Sequence, residues 1–109
     1  MRLLFLFLYR QDLVDEALEA LVEMEITDAT VVDGTPMERI LAADVPIFAG
    51  LWQSHGEADG QTRLIMAAVT DEALPDLIAL LGDVGVDLSK PEIAQLFTVP
   101  VDIHRPAHR

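Results

Sequence analysis

The apolar positions of this chain fall into two rhythms. In residues 3–9, LLFLFLY, every position is apolar, and RLIMAAV at 63–69 is apolar after its first residue. Such short unbroken runs predict strands buried on both faces. A different spacing follows each of them. In QDLVDEALEALVEME, positions Leu13, Ala17, Ala20, Leu21 and Met24 fall on one side of a helix, with Val14 and Leu18 beside them. Asp12 is the candidate N-cap, and Asp15 and Glu16 suit the positive end of the helix dipole. DEALPDLIALLGDVG repeats the pattern with Leu74, Leu77, Ile78 and Leu81 on one face. Pro75 lies in its first turn, and Gly82 and Gly85 lie near its end. ATVVD at 29–33 and QLFTVPVD at 95–102 predict two further strands. PMERILA, between the second and third strands, can form a helical turn.

The order is therefore strand-helix-strand twice, joined by a long connection over 34–61. It predicts a single α+β domain over 1–109, a ferredoxin-like βαββαβ sandwich with an antiparallel four-stranded sheet. In that topology the first and third strands are central and the other two are edges. The two fully apolar runs occupy the central positions, and Pro100 lies in an edge strand that tolerates its missing donor. A two-layer sandwich covers only one face of its sheet, yet the first strand is apolar in both directions. Leu3, Phe5, Phe7 and Tyr9 point one way; Leu4, Leu6 and Leu8 point the other. The expectation is a homo-oligomer built on the open face.

A connection of this length within a compact domain is normally functional or disordered. GTPMERILAADVPIFAGLW, residues 34–52, is too apolar for a solvated linker, whereas QSHGEADGQ after it is small and polar. The element order, the long connection after the second strand, LFTVPVD in the last strand and DVPIFAGL at Asp44–Leu51 together resemble the nitrogen-regulatory PII-like signalling family, in a short, divergent form. The resemblance covers nearly the whole chain. It implies a homotrimer whose long loop engages a target protein. It also implies a small anionic effector, often an adenine nucleotide such as ATP, ADP or AMP, bound in clefts between subunits. Carried onto this sequence, it makes Thr30, Gly34, Arg39 and Lys90 the effector-binding candidates. Where relatives have a Gly-rich phosphate loop before the last strand, this chain has SKPEIAQLF. Ile47, Phe48, Leu51, Trp52 and His55 are the candidate partner or interface residues of the loop.

Charge narrows the partners. Nineteen Asp or Glu stand against seven Lys or Arg, a net charge of −12, spread along the chain. Such a field repels nucleic acid and anionic membranes. The apolar run at the N-terminus is too short to span a bilayer. The absence of cysteine excludes disulfides and thiolate chemistry and fits a cytoplasmic protein. No nucleophile elbow or complete phosphate loop marks an enzyme. His55, Glu57 and Asp59 alternate in the loop, and His104 and His108 are four apart with Pro106 between them. Both sets read as solvated polar residues, not metal ligands. Two alternatives share the predicted fold. One is a small cleft enzyme using His55 with Arg39; the other is a trimeric divalent-cation or adaptor protein of the CutA type.

Overall fold

The structure is a computed structural model that describes residues 1–44 and 61–105. Strand β1 runs over Arg2–Leu8, followed by a short 3-10 turn at Gln11–Leu13 and helix α1 at Val14–Glu23. Strand β2 covers Thr30–Gly34 and helix α2 covers Met37–Asp44. Strand β3 covers Thr62–Val69, helix α3 covers Ala73–Asp83, and β4 covers Ala94–Pro100. The four strands form one antiparallel sheet in the order β2-β3-β1-β4. This α+β arrangement, with β1 and β3 central, is compatible with a ferredoxin-like fold. Pro100 ends the edge strand β4, where the ladder needs no outward donor.

The core lies between the sheet and helices α1 and α3. Leu4, Leu6 and Leu8 of β1 and Ile65, Ala67 and Val69 of β3 are buried there with Ala17, Ala20, Leu21, Leu77 and Leu81. Burying a leucine or isoleucine stabilises by roughly 2 kcal/mol, so this layer, centred on β1 and β3, carries most of the fold. The β2 edge adds little, since all five of its residues are exposed.

Both helices end in the same way. At the end of α3, the Val86 N–H bonds the Leu81 carbonyl at 2.9 Å and the Gly85 N–H bonds the Gly82 carbonyl at 3.2 Å. At the end of α1, Ile26 N–H bonds Leu21 at 2.8 Å and Glu25 N–H bonds Val22 at 2.9 Å. This paired pattern is a Schellman motif, which needs a left-handed residue just past the helix. Gly85 supplies it with φ 100°, and Glu25 supplies it with φ 60°.

Three local expectations are corrected. Asp12 does not cap α1: Arg10 takes its carboxylate through hydrogen bonds of 3.0 and 2.7 Å, and the chain enters α1 through the 3-10 turn without a side-chain cap. Ile78 is not on the buried face of α3. Leu74, Leu77 and Leu81 turn inward with Val84, and Ile78 is exposed. The connection after β2 begins with an eight-residue helix, and Gly34 belongs to β2. Thr70, three residues before the start of α3, accepts the Ala73 N–H at 3.1 Å and so satisfies one of the free donors at that helix end.

Candidate functional site

The ladder registers divide the sheet into two faces. On the helix side lie Leu4, Leu6 and Leu8, Ile65, Ala67 and Val69, and the sheet's charged residues, Arg2, Asp33 and Arg63. On the open side β1 places Leu3, Phe5 and Phe7, with Leu64, Met66 and Ala68 directly opposite on β3. Gln95, Phe97 and Val99 extend this face on β4, and Thr30, Val32 and Gly34 extend it on β2. None of these open-side residues is charged, in a chain whose residues are 24% charged. A sheet that kept its open face in water would do the reverse and put its charges there. Phe7 and Phe97 pack edge to face on this side, with ring centroids 5.8 Å apart. Even so, Phe97 is 52% exposed and Val99 and Val32 are also exposed. The open face is thus an uncharged, largely apolar surface, half-buried by its own neighbours and covered by no described helix.

The effector candidates fall into two groups. Thr30 and Gly34 lie on the open side of β2, and Arg39 lies two residues into α2. Lys90 lies in the turn before β4, at the opposite edge of the sheet. Three strand spacings, about 14 Å, separate the two edges. Within one copy, β2 and Lys90 do not meet. The turn around Lys90 also uses its own donors. The Lys90 N–H bonds the Asp87 carbonyl, the Ile93 and Ala94 N–H groups bond the Lys90 carbonyl, and Ser89 bonds the Asp87 carboxylate through both N–H and hydroxyl. Those Ser89 hydrogen bonds hold the Asp87 carboxyl below its usual range, with a smaller pull from the Lys90 charge. Pro91 has no N–H at all. The Lys90 side chain is thus the cationic group this turn can offer an anion.

Several cations have carboxylate partners. Arg10 pairs with Asp12, Arg2 with Asp71, and Arg63 with Asp33 directly across from it on β2. These pairs are exposed enough to contribute little stability.

At the β1 C-terminal end of the sheet, α2 meets the body. Thr62 is 7% exposed, although Leu64 and Met66, next on the same side, are only half-buried. Tyr9 lies beside it, its N–H bonded to the Ile93 carbonyl at 3.0 Å. Burial and then the Glu38 charge push the Tyr9 hydroxyl above its ordinary value. Glu38, Leu41 and Ala42 are the half-buried residues of α2, while Met37 and Ile40 are exposed. This second apolar pair escaped the sequence reading, although its i, i+3 spacing is visible in PMERILA.

Ile47, Phe48, Leu51, Trp52 and His55 lie outside the described residues, as do Glu57, Asp59, Pro106 and His108. His104 is exposed beyond β4. Among the described residues, no three His, Asp or Glu side chains gather as a metal site, and no helix is long and apolar enough to cross a membrane. In comparisons with known proteins, the chain matches no protein-family model and no curated protein.

Proposed function

We propose that the chain is a self-associating sensor module of the PII-like kind, working by binding and not by turnover. The observation that carries the reading is the open sheet face: uncharged, bearing apolar side chains on all four strands, with the charged residues of the strands on the opposite side. Copies meet through this face, as a homotrimer on the PII-like pattern. Assembly would bring the two edges, from different copies, to one ligand. Thr30, Gly34 and Arg39 of one copy would then line a cleft completed by the Lys90 side chain of the next. A small anionic effector occupies it, with adenine nucleotides the first class to test. Occupancy shifts the populations of the connection between β2 and β3, and that connection docks a target protein.

The decisive experiment is sedimentation velocity from submicromolar to high micromolar concentration, on the natural chain and on Phe97→Glu. The natural chain should sediment as an oligomer and the variant as a folded monomer. A natural chain that stays monomeric throughout ends the reading. Calorimetry with ATP, ADP and AMP then tests the cleft: binding by the oligomer should weaken at least tenfold in Arg39→Ala, the scale of one charged hydrogen bond.

A further inference from the structure

The open face alone is small for the task. Four strands about 4.8 Å apart and five to eight residues long give a footprint of about 430 Å². A standard stable interface buries about 800 Å² on each partner. Side-chain relief narrows the difference, but a sheet face of this size stands at the low end of what holds two copies together. An adjoining apolar surface on the same side would add to it. Helix α2 offers one. Its outward side exposes Met37 (68%) and Ile40 (49%), one helical turn apart. Long apolar side chains this exposed, and outside the buried cluster, have no role in the core. The position is also right. Thr62, on the open side at this end of the sheet, is buried while its open-face neighbours are not, and Glu38 lies close enough to act on Tyr9. Helix α2 therefore starts beside the end of the open face. Its charges alternate in sign, Glu38 then Arg39, so it approaches a second acidic copy with less repulsion than the acidic first turn of α1.

We infer that α2 is part of the interface between copies: Met37 and Ile40 of one copy dock on a second copy of this chain, extending the contact made by the open sheet face. The inference rests on the self-association proposed above and names a surface that it did not include.

The test compares three chains by sedimentation equilibrium: the natural one, Phe97→Glu, and the double variant Met37→Glu/Ile40→Glu. Both substituted positions of the double variant are exposed within one copy, so its circular dichroism and unfolding at high dilution should match the natural chain. Its association should be weaker by about tenfold or more, as for the loss of two apolar contacts at an interface. If Phe97→Glu separates the copies and the double variant associates as tightly as the natural chain, α2 is not in the interface, and the proposed function stands without it. If Phe97→Glu leaves assembly unchanged, the open-face reading itself fails and this inference with it. A second readout does not depend on adding charge. The chain has no cysteine, so Ile40→Cys takes a single environment-sensitive fluorophore. Its emission should shift to the blue as concentration carries the protein through assembly. Emission that does not change with concentration overturns the inference.

Discussion

At the scale of single residues, two positions invite measurement. Glu25 and Gly85 play the same part in matching helix ends, yet only one of them is glycine. A side chain in the left-handed region costs about 1–2 kcal/mol, and glycine escapes that cost while losing about 0.5–1 kcal/mol of chain entropy. Glu25 also puts a negative charge at the negative end of the helix dipole. Glu25→Gly should therefore stabilise the fold by about 0.5–1 kcal/mol in urea unfolding. Gly85→Ala should destabilise it by about 1 kcal/mol. The added methyl would meet Leu13 Cδ2 at an ordinary 3.5 Å, so backbone strain and not crowding sets the loss. Equal and opposite shifts of negligible size would show that the left-handed turn is not under strain.

Tyr9 is the chain's one tyrosine, so the ultraviolet phenolate band reports it alone. Burial first, and the Glu38 carboxylate second, raise its folded-state value above 10.0. The sign follows: the contribution to stability is complete below the unfolded value and is lost as pH rises through the folded one. Stability should fall in that alkaline window, and Glu38→Gln should bring the phenol titration part of the way back down. A titration unmoved by Glu38→Gln would separate α2 from Tyr9.

At the scale of elements, the same chemistry has two fates. Every position of β1 from Leu3 to Leu8 is apolar, but Leu4, Leu6 and Leu8 are fully covered and Phe5 and Phe7 are half-covered. Leu6→Ala should cost about 2–5 kcal/mol at any protein concentration, because it leaves a cavity under α1 and α3. Phe97→Ala should cost little at high dilution. It should become destabilising only where copies associate, since association adds stability by mass action. Unfolding curves for both variants across a hundredfold range of concentration distinguish the two. Concentration-independent losses from both would place Phe97 in the fold and not in an interface.

These elements also show what was legible in the sequence. The strands, the two long helices, their order and the double-sided β1 follow from period and from glycine and proline placement, because a buried sheet selects apolar residues strongly. Ile78 misled because five apolar positions in a row, Leu77 to Leu81, leave the helix face undefined until the sheet chooses it. Asp12 misled because Arg10, two residues away, competes for its carboxylate. The effector candidates were legible as residue types but not as a site. Thr30 and Lys90 stand at opposite edges of the sheet, and sequence spacing carries no information about that distance.

At the scale of the whole molecule, the proposed association would have to overcome charge. Each copy carries −12, so bringing copies together raises the local field, and the uncharged open face offers no ion pairs to offset it. An interface made of apolar contacts between like-charged bodies has a characteristic response to salt. Screening weakens the repulsion and leaves the apolar contact intact, with the Debye length falling from about 30 Å at 0.01 M to about 3 Å at 1 M. Association should therefore tighten, by about tenfold, as sodium chloride rises from low to near-molar concentration. An interface built on Arg–carboxylate pairs would respond the other way, because screening weakens attraction between opposite charges. Lowering the pH toward the sequence pI of about 4.3 removes the same repulsion by protonating carboxylates, so it should act in the same direction as salt wherever the fold survives. Sedimentation equilibrium across a salt series at neutral pH decides the matter. Association that loosens with salt would show that charge, and not the apolar face, holds the copies together.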